Sequence, residues 1–280
     1  MDRTKLKNLV KKYEEYLVVD RGLCATTVEG YARSLSIALR RMHQFCPSSQ
    51  SIRQHILWMH EQKYSYSHIV NTSTALEHYC SYRGTDLKIG RPRKPRRIIR
   101  DTLTEAEVSR IIQATRNIRE RGLICLLAYS GVRNRELCQL KVEDVDLGSN
   151  RVKVIAGKNR KDRIINISSE CSLVLIDYLK AYPRGKSSYL FTTLAEGNQL
   201  RPSDVRKMLR TVSQRQLGNR RVYPHLMRHS LATNLLNRGA SLMVIKEQLG
   251  HAFIDSTMVY VTSTAFRNRS EYEYFKPAYM

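Results

Sequence analysis

The segment His225-Leu226-Met227-Arg228-His229 carries two imidazoles and a guanidinium at i, i+3 and i+4. If Pro224 sits in the first turn of a helix, all three share one face with Ala232. Such a face could hold a metal ion or an oxyanion. By analogy with H-E-x-x-H the metal reading lacks its glutamate, and the adjacent guanidinium repels a dication, so no metal is expected. An arginine between two imidazoles suits a phosphate, which guanidinium binds through paired N–H donors. A second arginine, Arg133, stands in Gly131-Val132-Arg133-Asn134-Arg135-Glu136-Leu137, one turn before a glutamate. Leu249-Gly250-His251 follows a helical pattern at 241–249, and Tyr260 stands nine residues beyond that histidine.

These residues need a frame, and the apolar periodicity supplies one. Residues 1–86 read as all-helical. Leu6, Leu9, Val10, Tyr13, Tyr16 and Leu17 form one face of a first helix. A second is expected after Thr26, with Glu29 closing a capping box, and a third after Ser51 with Gln54. Ile69, Ser73, Leu76 and Tyr79 trace a fourth. The second domain opens with a capping box at Thr104-Glu105-Ala106-Glu107. A buried helix over 123–129 then ends at Gly131, where glycine suits a left-handed C-cap. Residues 144–168 switch to strand character around the polar turn GKNRKDR (157–163), which reads as a hairpin with a basic tip. Helix returns from Ser203 onward.

Between the two helical regions lies LKIGRPRKPRRIIR, residues 87–100, with seven basic residues, two prolines and no acid. It reads as an interdomain linker. The domain organisation expected is therefore 1–86, a helical domain; 87–100, the linker; and 101–280, a second domain. Of the formal net charge of +23, only +4 falls on residues 1–86, while the linker holds +7 and the rest +12. That excess is the electrostatic footprint of a nucleic-acid binder, although a basic membrane-surface protein would share it. No apolar run approaches the ~18–20 residues of a membrane span. The six scattered cysteines, with no C-x-x-C pair, favour reduced thiols in a cytoplasm. Neither a P-loop nor a G-x-G-x-x-G occurs, so no nucleotide cofactor is expected.

In order and spacing these segments resemble the tyrosine recombinases, the family of phage integrases and Xer-type recombinases. The resemblance covers essentially the whole chain, from the helical first domain through the basic linker, the G-x-R-x-x-E-L segment, the hairpin lysine, the H-x-x-R-H segment and L-G-H to the tyrosine. It implies a mainly α fold: an N-terminal four-helix core-binding (SAM-like) domain and a mixed α/β catalytic domain with a small antiparallel sheet. It thereby implies a DNA-binding role for 1–86 and a catalytic role, with a C-terminal tail, for 101–280. Carried over residue by residue, the catalytic set falls on Arg133, Lys158, His225, Arg228, His251 and Tyr260. Tyr260 would be the nucleophile, forming a 3′-phosphotyrosyl bond while a 5′-hydroxyl leaves. Arg133 and Arg228 would brace the non-bridging oxygens, Lys158 would protonate the leaving oxygen, His225 would serve as acid/base partner, and His251 as a further phosphate donor. The hairpin lacks a second glycine after the lysine, which leaves Lys161 as a rival to Lys158. Glu136 is expected to orient an active-site side chain, and His229 to pack through a hydrogen bond.

The resemblance also implies the partners: double-stranded DNA with a specific core site, and a homotetramer at a DNA synapse that passes through a Holliday junction. No cofactor, metal or membrane is implied. Because the helical bundle begins within the first ten residues, no extra arm-binding domain is expected, and the architecture reads as Xer-like. The aromatic tail after Tyr260 has two readings, packing on a neighbouring subunit or on its own domain. Two rival functions stand beside the recombinase: relaxation of supercoils by a type IB topoisomerase, and a DNA-binding accessory protein without catalysis.

Overall fold

The computed structural model describes residues 2–93, 101–155, 162–185, 188–193 and 197–250. The chain divides into two compact units, Met1–Ile98 and Ile99–Met280. Among the described residues it is mainly helical, with a three-stranded antiparallel sheet confined to the second unit. None of the described helices is long and apolar enough to cross a membrane.

The first unit consists of α1 (Arg3–Val19), α2 (Ala25–Met42), α3 (Ser49–Glu61) and α4 (Tyr66–Tyr82). Each presents an apolar stripe to one core built from Leu6, Tyr13, Leu17, Leu35, Ile52, Leu76 and Tyr79, among others. Two helix starts differ from the sequence expectation. Helix α2 begins at Ala25, one residue before Thr26, with Cys24 as N-cap and no side-chain cap bond, so the Thr26/Glu29 box does not form. Helix α3 is capped by Ser48, whose hydroxyl accepts from the Ser51 backbone N–H, so Ser51 lies inside the helix. In both places a run of adjacent hydroxyl residues offered several competing caps. At the end of the unit, residues of the basic segment are tied down: the Ile89 N–H and the Arg91 guanidinium both donate to the Glu77 carboxylate on α4, at 2.7 and 2.5 Å.

The second unit runs α5 (Glu105–Gln113), α6 (Ile118–Ser130), α7 (Asn134–Gln139), β1 (Val145–Asp146), β2 (Arg151–Val154), β3 (Arg163–Asn166), α8 (Ser169–Ala181), α9 (Pro202–Leu217), α10 (Pro224–Asn237) and α11 (Leu242–Leu249). The Thr104/Glu107 capping box expected for α5 is present. Helix α6 is buried along most of its length and forms the middle of the core, packing on α8 and α10. The sheet order is β1-β2-β3, with Val152 opposite Ile165 and Val154 opposite Arg163. Period-two alternation turns Ile165 inward and leaves Ile164 64% exposed, so only part of the apolar run at 164–167 enters the core.

Helix α10 is enclosed on two sides. Ser230 accepts from the Leu103 N–H at 2.7 Å, and the Asn234 amide donates to the Leu103 carbonyl at 3.3 Å, which fastens the entry of the second unit to one face. The opposite face carries Arg228, His229 and Ala232, all buried.

Candidate active site

The turn between α6 and α7 explains where the first arginine stands. Gly131 caps α6 in the left-handed region at φ +64°. A Cβ there would come within 2.8 Å of Leu249 and 2.9 Å of Leu231, so close approach and backbone angle both demand glycine. Two residues later Arg133 is the N-cap of α7. Its own N–H donates to Oε2 of Glu136 at 2.8 Å, and its Nη1 donates to Oε1 at 2.7 Å. The side chain of Arg133 remains 29% exposed. Glu136 thus does what the sequence suggested: it orients the guanidinium rather than decorating a helix surface.

The same carboxylate has a second cation. Arg163, the first residue of β3, meets it fork to fork, Nη1 to Oε1 at 3.0 Å and Nη2 to Oε2 at 2.7 Å. Burial alone would raise the Glu136 carboxyl, but the hydrogen bonds from Arg163 and Arg133 overcome it and bring the pKa down to about 2. The glutamate is an anion throughout the neutral range. Sequence reasoning passed over Arg163, although a signal existed. It lies two residues before Ile165 on the inward side of the strand, where a charge requires a buried partner.

Arg228 is more deeply set. It is 2% exposed, and its Nη1 and Nη2 donate to the carbonyls of Gly131 and Leu249, the C-terminal ends of α6 and α11. Each helix end carries roughly half a negative charge, so both of these acceptors attract the guanidinium. The arrangement clamps α11 against α6. Gln248 strengthens it: its amide donates to the carbonyls of Ser130 (3.1 Å) and Asn166 (2.7 Å) and accepts from the Asn166 N–H (3.1 Å). Arg133 adds a bond from Nη2 to the Gly250 carbonyl at 3.1 Å.

His225, Arg228 and His229 were expected to share one face of α10. The two histidine rings meet edge to face at 4.4 Å between centroids, but their environments differ. His225, in the first turn, is exposed, whereas Arg228 and His229 are buried. Arg133, Arg228 and the backbone just before His251 therefore converge. Lys158, its rival Lys161, His251, Tyr260 and the aromatic tail lie outside the described residues. Among the described residues, no cluster of three or more His, Cys, Asp or Glu side chains could hold a metal ion.

Residues 101–267 match the family described as "Phage integrase family". Among curated relatives, the chain is 30% identical to tyrosine recombinase XerA of Pyrococcus horikoshii over 271 residues, spanning 95% of this chain and 93% of that protein. It is 28% identical to tyrosine recombinase XerC of Bacillus pumilus, with 92% of each covered. A crystal structure of XerA recombinase aligns at a TM-score of 0.58 and 26% identity, covering 98% of this chain and 100% of that one. XerH recombinase bound to a palindromic difH substrate aligns at 0.73 and 19% identity, covering 99% and 85%, a likeness of fold.

Proposed function

The chain belongs to the phage integrase family and is a tyrosine-type recombinase, a DNA strand-transferring enzyme, and from that premise we propose that it cuts and rejoins a specific duplex core site using Arg133, Lys158, His225, Arg228, His251 and Tyr260. The observation that carries the site is the junction at Gly250. Arg133 holds the carbonyl of this residue, Arg228 holds the carbonyl before it, and His251 follows in the chain. Both arginines are thus bonded to the backbone immediately before His251 in the sequence.

The chemistry balances without an external energy source. The Tyr260 phenol oxygen attacks the scissile phosphorus, a bond forms to the 3′-phosphate, and the bond to the 5′-oxygen breaks. His225, exposed at the start of α10, takes the phenolic proton, and Lys158 gives one to the leaving 5′-oxygen. A second 5′-hydroxyl reverses these steps and releases the tyrosine. Arg133, the more open of the two arginines, meets the phosphate first. Arg228 is buried and held by two carbonyls, a fixed cation beside the more open one. Losing one such donor costs about 3–4 kcal/mol of transition-state stabilisation. Strand exchange between two duplexes calls for a homotetramer on DNA, acting in the cytoplasm. The basic segment and second unit supply the phosphate contacts that make binding fall with salt.

The test uses a nicked duplex carrying a site that the protein selects from a random-sequence pool. In EDTA the wild-type chain is expected to form a covalent adduct, absent in Tyr260→Phe, which still binds. An adduct that survives in Tyr260→Phe would overturn the nucleophile. Relaxation of supercoiled plasmid with no sequence preference would favour the topoisomerase reading, and binding without any adduct the accessory one.

A further inference from the structure

Glu136 accepts four hydrogen bonds, two from Arg133 and two from Arg163. Of the three side chains Arg133, at 29%, is the open one, while Glu136 at 10% and Arg163 at 12% are largely covered. Its stem lies against Gly250. A Cβ on that glycine would stand 2.5 Å from Cδ and 2.6 Å from Nε of Arg163, and Gly250 itself has φ +62°. One side chain therefore touches both the partner of Arg133 and the residue whose carbonyl Arg133 holds.

We propose that Arg163 is a positioning residue for phosphodiester cleavage: it shares the Glu136 carboxylate with Arg133 through a bidentate pair, so that Arg133 is oriented by that carboxylate without being neutralised by it. The charge arithmetic supports this. A lone Arg133–Glu136 pair sums to zero, and a phosphate approaching it meets attraction and repulsion of similar size. With Arg163 included the group sums to +1, and the least buried member carries the excess outward. A lysine at 163 would keep the charge and lose the bidentate match to the carboxylate. The contact with Gly250 adds a geometric role, since Gly250 carries the carbonyl that Arg133 holds.

The inference rests on Arg133 as a phosphate donor, and the experiment separates the two claims. Single-turnover cleavage is measured on the nicked duplex with an ordinary scissile phosphate and on the same duplex with a methylphosphonate there. The neutral substrate has one non-bridging oxygen replaced by methyl and needs less cationic stabilisation. Arg163→Ala is expected to cleave the phosphodiester about 30-fold or more slowly, as for loss of an electrostatic donor, and to come within about threefold of wild type on the methylphosphonate. Affinity for the duplex should stay within about threefold, because one buried cation makes no phosphate contact. Equal loss on both substrates, or no loss on either, overturns the proposal. If Arg163→Ala fails to fold, Arg163→Lys carries the same comparison, with a smaller loss on the phosphodiester that the neutral substrate erases; a uniform loss or none overturns it. Arg133→Ala is the control. If it is not rescued by the methylphosphonate, the reading of Arg133 fails, independently of Arg163.

Discussion

The two units bury polar groups in opposite ways. In the first, the described buried polar side chains are neutral. Tyr13 and Tyr79 sit in the core edge to face at 5.7 Å, and their hydroxyls donate to the carbonyls of Ala75 (2.8 Å) and Phe45 (2.6 Å). Burial pushes the Tyr79 phenol up to about 12, and burial with Arg41 nearby pushes the His55 imidazole down to about 4, so both stay uncharged near neutrality. In the second unit Arg228 and Glu136 are buried as ions. A neutral donor fills one carbonyl and leaves no field. A guanidinium fills two and leaves charge where a phosphate can use it. The bundle is built for shape, and the ground beneath the candidate site for potential.

That contrast can be broken, beginning where the effect is largest. Arg228→Ala leaves the carbonyls at the ends of α6 and α11 without their shared donor and should destabilise the second unit by about 2–6 kcal/mol, at about 1–3 kcal/mol for each buried acceptor left unsatisfied. Denaturant unfolding followed separately in each unit reads it. A loss below about 1 kcal/mol, the scale of a single neutral hydrogen bond, would erase the distinction. Glu136→Gln comes next, at about 3 kcal/mol near pH 7, the free energy equivalent to its lowered pKa. Because the folded-state value is depressed, the wild-type advantage is fully present above pH 4.5 and is lost as pH falls from there towards about 2. Stability measured at pH 7 and pH 3 should therefore converge for the two proteins, and a constant gap would mean that the ion is not what matters. Tyr13→Phe is the smallest, about 1 kcal/mol and confined to the first unit, because it removes one neutral bond and keeps the ring. A larger effect there would mean that the hydroxyl network organises the bundle as ions organise the site.

The helices were legible because their stripes follow directly from burial of one face, as in α1 and α4. Arg133 and Arg228 were legible too, since their spacing from Gly131 and His225 survives without coordinates. The starts of α2 and α3 were not, because neighbouring Ser, Thr and Cys residues compete as caps within a fraction of a kcal/mol. Nor was the split in exposure between His225 and Arg228. A helical wheel gives a face but not how deep each position lies, and in the first turn of α10 His225 is exposed while Pro224, Leu226 and Met227 beside it are buried. Arg163 was missed for a related reason. Its partner, Glu136, is 27 residues away on another element, and a buried ion pair leaves no periodic trace.

The clamp on Gly250 also governs when the site can exist. Arg133 and the Gly250 carbonyl are 117 residues apart, Ser130 and Gln248 118, and Leu103 and Ser230 127. At ribosomal rates of about 5–20 residues per second, a gap of that size corresponds to roughly 6–23 seconds of synthesis. The longest side-chain bond described above for the first unit, Tyr13 to Ala75, spans only 62. The bundle can close while the rest of the chain is still emerging. The bond from Arg133 to the Gly250 carbonyl cannot form until α11 has been made.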